Sequence, residues 1–460
     1  MPNETGSRES MSKENLSKEA GSKEAGSKET GSMAPITGRQ LLAETLGGAA
    51  AAWQIDDRGL CLAGESAVDW LNHQAQPATP AYIYNGAAIS AQVQAVRAVL
   101  PGTIHLHYAI KANPFPPVIS HLATQVDGFD CASLAEMQRV AELAPARLAQ
   151  TSIAGPAKSA DEHRFAISHG VLINIESAGE LQRVADVAQS LGKRARVALR
   201  VNPPFELKGA GMKMGGGARP FGIDSEAIPA LIERIRTDAT LRDHLALEGF
   251  HLFAGSQNRQ AEAIAATLRQ SLILVQDWTR QTGFMPRHLN LGGGFGVVYQ
   301  PQDAPLDLAA LKPVLAEIGA DAQQAWTGVR VNLELGRYLV AAAGIYVTRI
   351  VDRKTSRGKI YLMCDGGMHH HLALSGNLGQ VLRRNWPIVA IAQMDEPHSE
   401  TVDLAGPLCT PLDVLGQNQA LPILQPGDVV GVLQSGAYGA SASPQGFLSR
   451  PAPGEYFVPG

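Results

Sequence analysis

The stretch Ile104-His-Leu-His-Tyr-Ala-Ile-Lys111 is an apolar run that ends in a lysine, and it is the first of eight such runs. Short apolar runs rich in β-branched residues alternate with stretches of helical periodicity, which is typical of βα units around a parallel sheet. The eight runs predict an α/β fold with a (β/α)8 TIM-like barrel. The other runs are Gly128–Ser133, Leu148–Ala154, Leu172–Glu176, Arg196–Val201, Leu247–Phe253, His288–Gly292 and Arg330–Glu334.

Polar residues and glycines follow nearly every run. In a barrel of this kind, the chemistry lies at the C-terminal ends of the strands, where the loops meet at one face. The sequence therefore predicts a single site built from Lys111, Asp130, Ser256, Gly292–Gly294 and Glu334.

Outside the barrel the pattern changes. After about Leu339, strand-like runs such as Gly344–Val351 are broken by Gly, Pro and Asp, which predicts a separate C-terminal β domain. We expect the barrel to occupy residues 80–338 and the β domain residues 339–460, with the segment 36–79 joining the β domain in space.

The first 35 residues contain a five-residue polar repeat, in Ser17–Gly21, Ser22–Gly26 and Ser27–Gly31. Such a composition has too little apolar surface to fold, so residues 1–35 are expected to form a disordered low-complexity tail. The tail lacks the apolar core of a signal peptide, and no run of about 18 apolar residues appears in the chain. We expect a soluble, unexported protein.

Composition narrows the class of ligand. Apolar residues make up 45% of the chain, and the formal net charge is only -4, so no nucleic-acid or membrane partner held by charge is expected. A small molecule is the expected ligand. The four cysteines are scattered without a metal-binding or disulfide spacing, which favours a reducing cytoplasm and no metal.

A phosphate site is suggested by three groups at neighbouring strand ends. Glycines at Gly292, Gly293 and Gly294 leave backbone amides open to an anion, although a glycine run after a strand is often only a loop. Ser256 adds a hydroxyl donor, and Arg337 adds a guanidinium that can bind a phosphate through two hydrogen bonds.

Lys111 is the candidate nucleophile. A lysine that ends an apolar run leaves water and loses some preference for its charged form, as an imine-forming lysine requires. The alternative is a lysine that caps a strand in solvent.

Larger motifs stand in order along the chain, at Tyr108–Asn113, Gly128–Ser133, Gly292–Gly294, Glu334–Arg337, Gly406–Cys409 and Gly436–Tyr438. They resemble the fold-type III pyridoxal 5′-phosphate (PLP) decarboxylases, the group that contains ornithine, arginine and diaminopimelate decarboxylases. The resemblance covers nearly everything from Pro80 to Val458 and implies an alanine racemase-like pairing of barrel and β domain.

The resemblance implies specific roles. Lys111 would carry PLP as a Schiff base, and Glu334 would pair with the pyridine nitrogen so that the ring acts as an electron sink. Cys409 would be offered from the neighbouring subunit to guide protonation, which implies a homodimer with shared active sites; the alternative is a buried structural thiol. The cofactor-binding set is Lys111, Asp130, Arg200, Phe253, Ser256, Gly292, Gly293, Gly294, Glu334, Arg337 and Tyr438.

Three positions depart from the better-known decarboxylases. Phe253 stands where the family usually has a histidine stacked on the cofactor, and His251 is either a core residue or a catalytic group. Thr410 and Asn377 stand where ornithine decarboxylase places acids for the distal ammonium of the substrate. The distal end is therefore expected to be neutral, acidic or masked by conjugation.

In this respect the chain resembles relatives that decarboxylate carrier-protein-bound aminoacyl groups or citryl-amino acid intermediates of siderophore biosynthesis. An acyl-carrier protein is thus a possible partner. Lys208, Lys213 and Arg219 are candidates to meet an acidic conjugate, although exposed loop cations are more often simply solvated. The substrate-binding set is Arg219, His370, Thr410 and Asp413.

The run His369–His371 suggests a metal cluster, but carboxylates and cysteines are lacking at matching spacing, and substrate-facing or structural histidines are expected instead.

Other functions stay open. They are a diaminopimelate decarboxylase-like enzyme acting on a free amino acid, a PLP racemase, and a non-catalytic decarboxylase-like binding protein. Racemases lack the Gly406–Cys409 segment, and binding proteins tend to lose cofactor residues that are present here, namely Lys111, Glu334 and Arg337.

Overall fold

The computed structural model describes residues 36–74, 78–209, 211–300, 302–376 and 384–460. The expected tail at 1–35 and the candidate position Asn377 lie outside these ranges. Within them, no helix is both long enough and apolar enough to cross a membrane.

The segment before the barrel packs against the C-terminal part of the chain. The Leu60 amide donates to the Ile391 carbonyl at 2.9 Å, and the Arg39 amide donates to the Met394 carbonyl at 2.8 Å. Its elements are α1 (Gly38–Leu46), β1 (Gln54–Asp56), β2 (Gly59–Leu62), β3 (Glu65–Ser66), α2 (Ala67–His73), β4 (Ala81–Asn85) and α3 (Gly86–Arg97).

The strands of the barrel region follow in chain order. They are β5 (Ile104–Ala109), β6 (Gly128–Cys131), β7 (Ser152–Ile153), β8 (Leu172–Ile175), β9 (Ala195–Asn202), β10 (Met212–Lys213), β11 (Ile223–Asp224), β12 (Leu245–Leu252), β13 (Gly255–Ser256), β14 (His288–Gly293) and β15 (Arg330–Leu335). Parallel pairing in the order β5-β6-β7-β8-β9-β12-β14-β15, with β15 returning to β5, closes a barrel of eight strands. The predicted (β/α)8 barrel is confirmed.

One run folds differently from the prediction. Leu148 to Gln150 belong to a short 3-10 helix, Pro145–Gln150, and strand β7 is only two residues long. Pro145 stands at the first turn of that helix, where its fixed φ favours helical backbone and its missing N–H costs nothing.

The helices between the strands are α4 (Pro116–Ala123), α5 (Leu134–Leu143), α6 (Ala160–His169), α7 (Ala178–Ser190), α8 (Ile228–Thr237), α9 (Ala239–His244), α10 (Ala261–Thr282), α11 (Leu308–Ala325) and α12 (Arg337–Val340). Local sequence explains where several begin. Ser133, Ser159 and Ser177 precede α5, α6 and α7, and each hydroxyl accepts a hydrogen bond from the backbone amide three residues later. Such caps satisfy amides that have no partner inside the helix.

The C-terminal region forms the expected β domain. Its strands are β16 (Gly344–Ser356), β17 (Lys359–Cys364), β18 (Ile388–Ala390), β19 (Glu400–Ala405), β20 (Val414–Leu421), β21 (Val429–Val432) and β22 (Gly454–Val458). Strand β16 is the longest and pairs with β4, β17 and β21. Residues 80–338 were predicted to form the barrel, but β4, at residues 81–85, pairs with strands of the β domain and not with the barrel sheet.

Candidate active site

A cavity of about 510 Å³ opens at the C-terminal ends of the barrel strands, and Lys111 lines it. Lys111 follows β5 in a single 3-10 turn, Ile110–Ala112, which directs the chain away from the barrel. A narrower recess adjoins the cavity and shares Lys111, Phe253, Ser256, Arg337 and Tyr438 with it. The recess is also lined by Gly294 and Glu334. Predicted residues from four different strand ends thus meet in one place.

Lys111 and Glu334 form an ion pair, with 3.6 Å between Nζ and Oε1. Burial in this site acts to lower the pKa of Lys111, but Glu334, Tyr438 and Asp130 together outweigh it, and the net pKa is raised above the usual value of 10.5. The lowered pKa predicted from desolvation alone is therefore wrong.

Glu334 lies on β15 and is only 6% exposed. Burial acts to raise the pKa of this carboxyl group, but Lys111 and His251 overcome it, and the net pKa is strongly lowered. His251 Nε2 lies 3.2 Å from Glu334 Oε2. The residue is therefore a carboxylate with one oxygen toward Lys111 and the other toward His251.

Phe253 forms an apolar wall beside the lysine. The Lys111 Nζ lies 5.6 Å from the centroid of the Phe253 ring. A phenyl ring offers a flat face for packing but no hydrogen bond to a ligand.

The glycine turn requires glycine for steric reasons. Gly292 and Gly294 have φ values of 71° and 72°, in the left-handed region. A Cβ on Gly294 would lie 2.1 Å from the Gly255 carbonyl oxygen. The Gly292 amide already donates to Asn290 Oδ1 at 2.8 Å, so it is not open to an anion as the sequence suggested. The remaining glycines, with Gly294 on the recess, can still form a cradle.

Arg337 begins α12 and points between two tyrosines. Its Nη1 donates to the Tyr299 hydroxyl at 2.6 Å, and its guanidinium carbon lies 4.7 Å from the centroid of the Tyr438 ring. Tyr438 has a φ of 54°, an uncommon conformation for a bulky residue, and its amide donates to the Ala112 carbonyl at 2.7 Å. These contacts place Lys111, Arg337 and Tyr438 side by side in one wall of the cavity.

Asp130 and Arg200 lie deeper in the barrel and do not line the cavity among the described residues. Asp130 accepts a hydrogen bond from the Ser152 hydroxyl at 2.6 Å. Arg200 pairs with Glu176 at 2.6 Å, and its charge acts on both Lys111 and Glu334. Direct contact of Asp130 or Arg200 with a cofactor stays a prediction.

Cys409 is exposed, so the alternative of a buried structural thiol is wrong. It is not among the described residues that line the cavity of its own chain. Its loop is held by Asp413, whose two carboxylate oxygens accept from the amides of Met368 and Leu408 at 2.6 and 2.8 Å. Both oxygens of Asp413 are thus engaged with backbone, and substrate binding by Asp413 stays a prediction.

The other predicted substrate residues also lie away from the cavity. Arg219 donates to the Gly216 carbonyl at 3.1 Å and faces Glu206. His370 is 2% exposed, and its Nε2 lies 2.8 Å from the Pro451 carbonyl oxygen. Thr410 accepts at its hydroxyl from the Leu412 amide. Among the described residues, no group of three or more His, Cys, Asp or Glu is arranged to hold a metal ion.

Sequence reasoning missed the outer wall of the cavity, which is rich in apolar and aromatic side chains. Tyr299 and Trp386 pack with ring centroids 4.5 Å apart. Of these residues, only Tyr299 could have been predicted from the sequence, because it stands five residues after the glycine run at a strand end. The wall comprises Met212, Met214, Tyr299, Trp386, Ala373, Ala437 and Ala442.

The groups around the recess fit a phosphorylated pyridine aldehyde. Lys111 offers an amine for the aldehyde carbon, Glu334 offers a carboxylate for a protonated ring nitrogen, and Phe253 offers a face for the ring. Gly294, Ser256 and Arg337 offer donors for a phosphate, at a turn whose space a Cβ on Gly294 would close.

Comparison with known proteins gives the same result. Residues 86–341 match the family model described as "Pyridoxal-dependent decarboxylase, pyridoxal binding domain". The chain is 35% identical over 385 residues to the L-glutamyl-[BtrI acyl-carrier protein] decarboxylase of Niallia circulans, covering 82% of this chain and 87% of that protein. It is 29% identical to the 2-[(L-alanin-3-ylcarbamoyl)methyl]-2-hydroxybutanedioate decarboxylase of Staphylococcus aureus, covering 84% and 95%.

A solved structure, diaminopimelate decarboxylase from Helicobacter pylori complexed with L-lysine, is also similar. It superposes with a TM-score of 0.74 at 26% identity, covering 85% of this chain and 93% of that chain.

Proposed function

The chain belongs to the pyridoxal-dependent decarboxylase family, and from this we propose that it removes the α-carboxylate of an amino acid whose distal end is masked by conjugation. Membership makes it a PLP-dependent decarboxylase. The proposal concerns its substrate, the roles of its residues and its partners.

When bound, PLP supplies an electron sink for the electron pair that remains on the α-carbon after carbon dioxide leaves. The protein supplies attachment and orientation. Lys111 would provide the amine at the floor of the cavity, and Ser256, Gly294 and Arg337 would hold the phosphate. Phe253 would offer its face to the ring and adds no competing charge.

Glu334 holds a proton at the pyridine nitrogen. Its lowered pKa keeps it ionised, and a buried carboxylate beside a ring nitrogen favours the protonated ring. A protonated ring stabilises developing negative charge better than a neutral one, so this carboxylate lowers the barrier to decarboxylation.

The observation that carries the substrate proposal is the lining of the cavity. Among the described lining residues, the carboxylates are Glu334, which faces Lys111, and Asp303, which pairs with Arg259 at 3.2 Å. The walls beyond them are the apolar and aromatic side chains of Met212, Tyr299 and their neighbours. A free distal ammonium would lose its water there without gaining a dedicated anionic partner, at a cost of about 1–3 kcal/mol or more.

The similar proteins support a masked substrate. The name of one relative specifies a glutamyl group on an acyl-carrier protein. That of another specifies an alanine moiety joined through a carbamoyl link to a hydroxybutanedioate, which is an acidic conjugate. We therefore propose a carrier-bound aminoacyl group or an acidic amide conjugate, with an acyl-carrier protein as partner in the first case.

Free diaminopimelate is the second candidate. It is favoured by the fold similarity to a diaminopimelate decarboxylase in complex with L-lysine, a free amino acid with a distal amine.

We also propose a homodimer with shared active sites, supported by the exposed position of Cys409 away from the cavity of its own chain. In the dimer, the Cys409 thiol would deliver a proton to the α-carbon of a substrate bound by the other subunit. A cytoplasmic location is proposed because all four cysteines are free thiols.

The test measures release of carbon dioxide from a glutamyl thioester on an acyl-carrier protein, an amide-linked acidic conjugate, and free diaminopimelate, ornithine and lysine. We expect kcat/KM for one of the conjugates to exceed that for free ornithine or lysine at least about tenfold. Comparable activity on ornithine or lysine would contradict the masked-substrate proposal. A preference for diaminopimelate would favour the second candidate.

A further inference from the structure

His251 is a histidine that neither the cofactor set nor the substrate set includes. It lies on β12, two residues before Phe253, and its side chain is 3% exposed inside the barrel. In the parallel registers it stands beside Arg200 on β9 and Asn290 on β14. Its contact with Glu334 crosses the barrel interior from β12 to β15, at 3.2 Å.

This contact selects the tautomer of His251. Glu334 is ionised and can only accept a hydrogen bond, so Nε2 of His251 must carry the hydrogen. Nδ1 of His251 is buried without a hydrogen-bond partner among the described residues. Nδ2 of Asn290, at the paired register position, also lacks one.

The two partners of Glu334 differ in what happens to them when the cofactor binds. Lys111 holds one carboxylate oxygen through its ammonium group, and it would have to lose a proton and leave this contact before its amine could bind an aldehyde. His251 keeps its hydrogen bond because it takes no part in the attachment. It is then the donor that can hold the orientation of Glu334 throughout turnover.

We propose that His251 is a positioning residue that fixes the Glu334 carboxylate against the cofactor ring nitrogen by donating a hydrogen bond from Nε2. The inference rests on the cofactor assignment of the proposed function and is independent of the substrate.

Charged and titratable groups surround His251 on every neighbouring strand. Arg200 lies on β9, His288 on β14 and Glu334 on β15. His107 lies on β5, Asp130 lies on β6 and Lys111 follows β5; His107 also acts on His288. The burial of His288 lowers its pKa well below the usual range, so it is neutral at physiological pH and leaves Glu334 as the ionised partner of His251.

The test uses the holoenzyme reconstituted with PLP that carries 15N at the pyridine nitrogen, whose chemical shift reports its protonation. His251→Leu removes the donor, whereas His251→Gln keeps a donor at nearly the same position. We expect a protonated ring nitrogen in the wild type and in His251→Gln, and a loss of protonation in His251→Leu. We expect kcat to fall about tenfold or more in His251→Leu and to be largely rescued in His251→Gln.

If His251→Leu folds with a normal Tm and full cofactor content but leaves the 15N shift unchanged, the inference is wrong. If that variant does not fold, 15N-histidine spectra of the wild type decide: a proton on Nε2 supports the inference, and a proton on Nδ1 overturns it. A wild-type protein that never binds PLP covalently would instead defeat the proposed function.

Discussion

The Nζ of Lys111, just after β5, lies 3.6 Å from Oε1 of Glu334 on the neighbouring strand β15. The nucleophile and the carboxylate assigned to the ring nitrogen are therefore partners of each other before any cofactor arrives. This pairing keeps the lysine protonated and the carboxylate ionised, and binding of the cofactor has to replace one ion pair with another.

Lys111→Ala is expected to abolish covalent attachment of PLP, because no other amine stands at the floor of the cavity among its described lining residues. Borohydride treatment followed by mass spectrometry checks this: the wild type gains the mass of a reduced cofactor adduct at Lys111. Lys359→Ala is the control, because Lys359 is a partly exposed lysine that pairs with Asp403 in the β domain, away from the cavity. An adduct that survives in Lys111→Ala would contradict the assignment.

Glu334→Gln is expected to change cofactor capture and turnover in opposite directions. The variant lacks the carboxylate that contributes most to raising the pKa of Lys111, so a larger fraction of the amine is neutral and the cofactor is captured faster than by the wild type. Decarboxylation is expected to slow about a hundredfold or more, because the ring nitrogen loses its anionic partner. Stopped-flow absorbance and single-turnover assays measure the two rates, and slower capture by the variant would refute the pKa argument.

Gly294→Ala is expected to weaken PLP binding at least about tenfold. The new methyl group would meet the Gly255 carbonyl oxygen at 2.1 Å and force the glycine turn open. Gly283→Ala is the matched control, since Gly283 has a similar φ of 68° but no atom within 4 Å of its Cβ. Equilibrium titration of the cofactor-free proteins gives the two affinities. Equal weakening in both variants would mean that backbone strain alone is responsible.

Shared active sites predict complementation between two inactive variants. Lys111→Ala and Cys409→Ala are each expected to be nearly inactive, and a mixture reassembled from both is expected to recover about a quarter of wild-type activity. Recovery arises because a mixed dimer contains one site with an intact lysine and an intact thiol. Activity of the reassembled mixture measures this, and purified mixed dimers should show about half of wild-type activity. A complete lack of recovery would argue that each site uses residues of one chain.

Buried neutral histidines predict sensitivity to acid. Burial lowers the pKa of His371 to about 3, so the unfolded state takes up a proton as the pH falls below 6.5, while the folded state does not until about pH 3. Stability is therefore lost as the pH falls through this window, by roughly 3 kcal/mol between pH 7 and pH 4 from this residue. Urea unfolding should show a shallower pH dependence in His371→Gln, and an unchanged dependence would contradict the prediction.

Much of the architecture could be predicted from local sequence patterns. All eight apolar runs contain barrel strands, because strands buried on both faces need continuous apolar sequence and the helices between them need 3.6-residue periodicity. The pairing of β4 with β16 was not accessible, since hydrogen bonding between segments far apart in sequence leaves no local signal.

The candidate site shows the same division. The residue types at strand ends predicted the positions of Lys111, Glu334 and Arg337 around one cavity. The hydrogen-bond and ion-pair partners of these side chains could not be predicted from the sequence. The carboxylate of Asp413 accepts hydrogen bonds from backbone amides, and Glu334 acts to raise the pKa of Lys111. Such outcomes depend on distances of a few ångströms between distant segments.

Strand β4 sits between β16 and β22, both of which come after the barrel in the chain. During synthesis on the ribosome, β4 emerges before either of its partners exists, so both of its edges stay without strand neighbours while the barrel is made. We expect truncated chains that stop after the barrel to expose these edges and to aggregate, and β16 and then β22 to cover them.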